Sequence, residues 1–314
     1  MAKPTSQQQE RPPVVAVLGH VDHGKSTLLD FIRKSNTVDK EAGGITQKIA
    51  AYEIERVKGA DKKRITFIDT PGHAAFTTIR ARGANVADIA ILVVAADDGV
   101  KAQTLEALQQ IRDAKIPMIV AINKIDKPNA DLQRTVATLL EQQVYLEQYG
   151  GDVPWAAVSA KQGTGVEELL DLILLVAEMA ELKGDASVPA EGYVIEAHRD
   201  QKRGMAATLI IKNGTLKSGM AVLAGRALSP VRIMENHAGK TVKEATFSSP
   251  IQLIGFDELP EVGAEFKTFE KKKEAEIAQE AAKLARPQIR ATEHGNTSGV
   301  FVMPIIVRAD TTGS

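Results

Sequence analysis

Cysteine is absent from the 314-residue chain, which excludes disulfides, thiolate metal sites and cysteine nucleophiles. Aromatic residues make up only 4% of it, so no base-stacking platform is advertised. A basic excess is lacking too. The 39 Lys+Arg face 40 Asp+Glu and balance in both halves, so charge alone gives no reason to expect a nucleic-acid partner. No run of about 18 apolar residues occurs, and the opening MAKPTSQQQERPP has no apolar core. Both facts argue against a membrane span or a secretion signal, and a cytoplasmic monomer is expected. What remains is an ordinary globular composition, 44% hydrophobic. The length suggests about two domains at roughly 150 residues each.

The polar residues 1–13, with a Gln run and then Pro12 and Pro13, read as a disordered leader. From Val14 to residue 182, short apolar strands alternate with helical patterns. The strands are Val14–Leu18, Tyr52–Arg56, Arg64–Ile68, Ile89–Ala95, Met118–Asn123 and Pro154–Val158. Helices are expected over Lys25–Lys34, Ala74–Ala84, Gln103–Ala114, Ala130–Gln148 and Val166–Glu181. IAILVVA at Ile89–Ala95 is apolar without alternation, which suits a strand covered on both faces. Such alternation of strand and helix predicts an α/β domain with a doubly wound, mostly parallel sheet.

A polar linker, Lys183 to Pro189, changes the pattern. Over 188–269 short strands are punctuated by glycine, with Asn213-Gly214 as a tight-turn signal, and a small β-barrel is expected. Residues 270–286 read as one charged helix with a thin stripe of Ile277, Ala281 and Leu284, stopped by Pro287. Such a helix suggests a linker between domains. Residues 298–314 look like the opening strand of a third, truncated domain.

The chemistry starts directly after the first strand. Gly19-His20-Val21-Asp22-His23-Gly24-Lys25-Ser26-Thr27 fits the P-loop pattern and opens a helix. Glycine lets successive backbone N–H groups turn toward phosphate oxygens, and the helix N-terminus adds partial positive charge. Lys25 then neutralises the β and γ phosphates, and the Ser26 hydroxyl is a ligand for Mg²⁺. His20 and His23 invite a metal reading, but a loop that aims its amides at phosphate turns these side chains elsewhere, and no metal role is assigned to them. Asp69-Thr70-Pro71-Gly72-His73 follows the third strand. Asp69 is placed to hold Mg²⁺, Gly72 to bring its N–H to the γ-phosphate, and His73 to orient the attacking water. Upstream, Gly43-Gly44-Ile45-Thr46 suits a segment whose Thr46 hydroxyl completes the Mg²⁺ shell only when the γ-phosphate is present.

Base selection falls to Asn123-Lys124-Ile125-Asp126 at the end of a strand. A carboxylate can accept from guanine N1–H and N2–H₂, whereas adenine would leave it unpaired. The expected ligands are therefore GTP and GDP rather than ATP. Ser159-Ala160-Lys161 would present backbone N–H to guanine O6.

Together GHVDHGKS, GGITQ, DTPGH and NKID resemble the translational GTPases, and GGITQ with IDTPGHAAF is similar to the family of bacterial translation initiation factor two. Val194-Ile195-Glu196, Asn213 to Leu216 and Val231-Arg232 resemble that family's second-domain barrel. The segment from Ile306 to Ser314 resembles the opening of its third. The resemblance implies a P-loop GTPase domain followed by a β-barrel and a linker helix. It implies slow GTP hydrolysis through His73, accelerated on the ribosome, whose small and large subunits are the expected partners. A monovalent cation near Asp22 is implied as well. Initiator tRNA becomes a partner only with the family's C-terminal barrel, which lies beyond this sequence. Lys48 stands where the family usually has histidine, and Ser26-Thr27 inverts the commoner Thr-Ser order while keeping the hydroxyl. His198, His237 and His294 are read as structural or surface residues.

Overall fold

The computed structural model describes residues 8–36, 51–58, 61–68, 86–200 and 202–285. The first unit contains β1 (Gln8–Glu10), β2 (Val14–Gly19), α1 (Lys25–Asn36), β3 (Ala51–Lys58), β4 (Asp61–Ile68) and β5 (Ile89–Ala95). It continues with α2 (Ala102–Ala114), β6 (Met118–Asn123), α3 (Leu132–Glu141), β7 (Trp155–Ala157), α4 (Val166–Met179) and β8 (Lys183–Asp185). Six strands form one sheet in the order β3-β4-β2-β5-β6-β7. Only the β3–β4 pair is antiparallel. The middle strands β2 and β5 are buried along their whole length, as continuous apolar runs require. One layer of the core packs Leu28 and Ile32 of α1 and Leu169, Leu170 and Ile173 of α4 against one face. The other packs Ala107, Leu108 and Ile111 of α2 and Val136 and Leu139 of α3 on the opposite face. Helices on both faces and a strand order that reverses about β2 leave the ligand crevice at the carboxyl ends of β2, β5 and β6.

The second unit is antiparallel, as its short glycine-punctuated strands suggested. Its strands are β9 (Glu191–Asp200), β10 (Gly204–Asn213), β11 (Thr215–Lys217), β12 (Ala221–Ala224), β13 (Ala227–Pro230), β14 (Ile233–Asn236), β15 (Glu244–Thr246), β16 (Pro250–Phe256) and β17 (Glu265–Phe269). Seven of them form a sheet in the order β13-β12-β17-β9-β10-β16-β14. It curls so that Asp257, just past β16, donates its N–H to Leu228 O in β13 at 2.9 Å. Phe266, Leu209, Val222 and Leu253 fill the inside. The strands β11, β13, β15 and β17 were not foreseen; three to five residues between turns carry too little periodicity to read.

Four expectations need correction. The leader is not disordered through residue 13, because β1 pairs antiparallel with β8. That same pairing turns part of the supposed linker into a strand. The helix expected to run to Gln148 stops at Glu141, where Gln143 adopts a left-handed φ of 58°. Beyond it Val144 and Leu146 turn back into the core. The charged helix, here α5 (Lys272–Ala285), is not a free connector. Ala275 is fully buried among Ala221, Leu223 and Leu228, and Gln279 donates to Arg226 O and to Asp257 Oδ2, both at 2.7 Å. The docked face is thus Ala275, Ala278 and Gln279, while Ile277 and Leu284 are exposed. Small residues win the docking face because they let the helix approach the sheet closely. No described helix is long and apolar enough to cross a membrane. The expected helix over Ala74–Ala84 and the strand within 298–314 lie outside the described residues.

A buried ion network joins the two units. Arg11 makes two hydrogen bonds of 2.6 Å to Asp88, which precedes β5. Lys212 of β10 reaches the same carboxylate at 2.5 Å, and Val14 N–H donates to it at 2.9 Å. Around this network Thr66 Oγ1 donates to Ser248 O and Ser248 Oγ to Pro12 O. Val14, Ala51, Ile68 and Val86 pack with Ile195 and Ile210 across the junction. Burial pushes the Asp88 carboxyl up, but the Arg11 hydrogen bonds and the nearby Lys212 and Arg11 charges carry it below the ordinary carboxylate range.

Candidate nucleotide site

β2 delivers the glycine-rich loop at the crevice. Gly19 has φ of 142°, and a Cβ there would lie 2.3 Å from Val93 O in β5. Glycine is obligatory at this position because the loop must leave the strand against a neighbouring backbone. Gly19→Ala is expected to cost about 1–3 kcal/mol of stability in a urea titration, as other overpacked sites do. Asp22 (φ 64°) and Gly24 (φ 89°) then reverse the chain. Leu28 N–H donates to Gly24 O at 2.9 Å, so α1 begins within the loop. Lys25 Nζ donates to Gly19 O at 2.8 Å and to His20 O at 2.6 Å, which places the ammonium across the mouth of the loop. Ser26 and Thr27 are exposed at the helix start.

Asn123, 1% exposed, knits the site together. Its Nδ2 donates to His23 O at 2.9 Å, and its Oδ1 accepts from Ala160 N–H at 3.0 Å. One side chain therefore ties the loop after β2 to the end of β6 and to the turn after β7. Asp126 sits beside that turn. Ser159 Oγ donates to Asp126 Oδ1 at 2.7 Å and accepts from Gln162 N–H at 3.1 Å. The Ser159 hydrogen bond holds the Asp126 carboxyl below its ordinary range, so at neutral pH it is an acceptor. Ile125 N–H donates to Val158 O at 3.4 Å, Lys124 is in the left-handed region (φ 66°), and Lys161 is exposed.

The structure thus brings together Gly19 to Thr27, Asn123 to Asp126 and Ser159 to Lys161. Thr46, Lys48, Asp69, Thr70, Pro71, Gly72 and His73 lie outside the described residues. β4 ends at Ile68, and its register Ala16↔Ile68 brings that end beside β2. Sequence reasoning missed three residues at the crevice. Gln103 Oε1 accepts from Val21 N–H at 2.9 Å. Asp97 pairs with Lys127 at 2.6 Å and lies 3.9 Å from Lys124. Asp98 faces His23 at 3.5 Å. The signal was Ala96-Asp97-Asp98-Gly99, an acidic turn at the carboxyl end of a central strand, where such a sheet binds its ligand.

The sequence pattern of the elongation factor Tu GTP binding domain matches residues 10–179, more than half of the chain. The chain belongs to that family. The chain therefore carries a GTP-binding domain. Elongation factor G domain 2 matches residues 189–269, the curled antiparallel unit. The similarity to translation initiation factor two extends over both units. The chloroplastic translation initiation factor IF-2 of Rhodomonas salina is 46% identical over 98% of this chain and 42% of its own length. Translation initiation factor IF-2 of Synechococcus sp. (strain JA-3-3Ab) is 52% identical over 88% of this chain and 27% of its own length. The chain thus spans less than half of these relatives. Among solved structures, GDP-bound aIF5B from Aeropyrum pernix aligns with a TM-score of 0.70 at 30% identity, covering 88% of this chain and 57% of that one.

Proposed function

We propose that the chain is the GTP-binding and GTP-hydrolysing core of a translation initiation factor, with hydrolysis accelerated by the ribosome. The observation that carries this reading is the Asn123 junction. It sets a phosphate-type loop, an ionised Asp126 and the Ser159-Ala160-Lys161 turn at one crevice, as a guanine nucleotide requires. In this reading the backbone of residues 19–27 and the Lys25 ammonium hold the phosphates. Asp126 accepts from guanine N1–H and N2–H₂, and the Ala160 and Lys161 amides face guanine O6.

Ser26, Thr46 and Asp69 form an all-oxygen donor set, which suits Mg²⁺, and Ser26 is exposed at the start of α1. When bound, Mg²⁺ neutralises charge on the β and γ phosphates. His73 orients the attacking water, Thr70, Pro71 and Gly72 belong to the GTP-binding turn with the Gly72 N–H on the γ-phosphate, and Asp22 holds a monovalent cation. The ribosome, through both subunits, is the partner, and initiator tRNA binds only where a C-terminal barrel accompanies this core. The location is cytoplasmic and the chain acts as a monomer.

Phosphate release with and without ribosomes tests this directly. The parent is expected to turn over slowly alone and faster on ribosomes, whereas His73→Ala keeps GDP affinity and loses most of the ribosome-dependent rate. Equal rates for parent and variant in both conditions would remove His73 from the mechanism. A parent without turnover in either condition would make the chain a nucleotide-gated binding module instead. Calorimetry adds a second check: GTP and GDP should bind and ATP should not.

A further inference from the structure

We propose that His20, His23 and Asp98 form a binding site for a borderline divalent transition cation of the Zn²⁺ class, separate from the Mg²⁺ ligands. The imidazoles of His20 and His23 stand side by side in the loop. Their ring centroids lie 4.9 Å apart, edge to face. One ligand atom from each of His20, His23 and Asp98 lies within 4.8 Å of the other two.

The hydrogen bonding assigns the lone pair. His23 is 1% exposed, and its Nδ1 sits 3.4 Å from Val93 O. A carbonyl only accepts, so the proton resides on Nδ1 and the lone pair on Nε2. Among the described residues that Nε2 faces only Asp98 Oδ2, at 3.5 Å, and Nδ1 of His20 is buried without a hydrogen-bond partner. Such under-satisfied ring nitrogens side by side are uncommon in a folded interior and call for an explanation.

The spacing fits a metal. Ligand atoms roughly 2.0–2.2 Å from a tetrahedral ion stand about 3.3–3.5 Å apart. His23 Nε2 and Asp98 Oδ2 are 3.5 Å apart. Asp98 is part-exposed and can swing to close the distance to His20. The outer contacts are also in place, since the Val93 carbonyl fixes the His23 ring and Lys101 holds the second Asp98 oxygen at 2.7 Å. Two imidazoles and one carboxylate suit Zn²⁺ or Co²⁺, whereas Mg²⁺ prefers oxygen alone. A bound ion would pin the phosphate loop to the turn after β5.

Cobalt is the probe. CoCl₂ is titrated into the full chain in Mg²⁺-containing buffer, and visible d–d absorption is read. One equivalent of Co²⁺ should bind and be displaced by one equivalent of ZnCl₂. Asp98→Ala and His20→Ala should each weaken Co²⁺ binding at least about tenfold and alter the bands, as metal sites do when a supporting group is lost. These positions are chosen because His23 is buried and its replacement can unfold the chain. Circular dichroism confirms that each variant is folded. Absence of a stoichiometric Co²⁺ site in the parent, or an unchanged site in both folded variants, overturns the proposal. The latter result would assign the ion to other groups, such as His198 or His237.

Discussion

Asp126→Asn is expected to exchange guanine for xanthine recognition, with the ratio of XDP to GDP affinity rising by roughly 10³–10⁵. In the proposed reading, two donors on guanine, N1–H and N2–H₂, face the Asp126 carboxylate. The amide of asparagine offers a donor where an acceptor is needed, so GDP leaves polar groups unmatched in the site. Xanthine carries a carbonyl at C2 and restores the match. The effect is large because the carboxylate is already oriented by Ser159 Oγ at 2.7 Å, so neither nucleotide can be accommodated by simply turning the side chain away. Calorimetry with GDP and XDP on parent and variant measures it. A variant that still binds GDP as tightly as the parent would show that Asp126 does not read the base.

The second large effect lies away from the crevice. Asp88→Ala should lower the free energy of unfolding by about 3–5 kcal/mol at pH 7, because it leaves the Arg11 and Lys212 charges buried without their partner. Urea titration of the full chain is the measurement. The pH dependence has a definite sign. The folded-state pKa of Asp88 lies below its ordinary value of 3.8, since the Arg11 and Lys212 interactions outweigh the burial that pushes it up. Its contribution is therefore complete above that ordinary value and is lost as pH falls through the lower folded-state value. The difference between parent and variant should shrink on acidification. A difference that is constant with pH, or absent at pH 7, would mean that packing across Val14, Ile195 and Ile210 holds the junction without the ions.

The alternating apolar runs and helical patterns were legible because they are local. β5 and β6 begin and end where the sequence reading placed them, and α2 begins one residue earlier. The convergence of the strand-end motifs was legible for a related reason. In a parallel sheet, motifs at strand ends converge at one edge, so His23, Asn123 and Ala160 meet although more than a hundred residues separate the first from the last. The β1–β8 pairing was not legible. A polar strand of three residues, Gln8–Glu10, has no apolar alternation and forms only because Lys183–Asp185 presents an edge to it.

The same limit applies to the docked face of α5. Periodicity selected the largest apolar residues, Ile277 and Leu284, yet the sheet beneath accepts the small ones, Ala275 and Ala278. Shape complementarity between two surfaces decides this, and neither surface is written in the helix alone. Likewise the histidines of the loop showed only that their side chains turn away from the crevice; the approach of Asp98 came with the fold.

The amino-acid sequence by itself determined the sheet, the crevice at its carboxyl edge and the preference for guanine, since each rests on short-range periodicity, backbone conformation or hydrogen-bonding type. Tertiary structure alone decided the Arg11–Asp88–Lys212 network, the seating of α5 and the meeting of His23 with Asp98. Those depend on burying charges and orienting side chains between segments 70 or more residues apart, apart from the helix's shorter reach. Pairing at that range is selected by the free energy of the assembled interior, and no local pattern carries it.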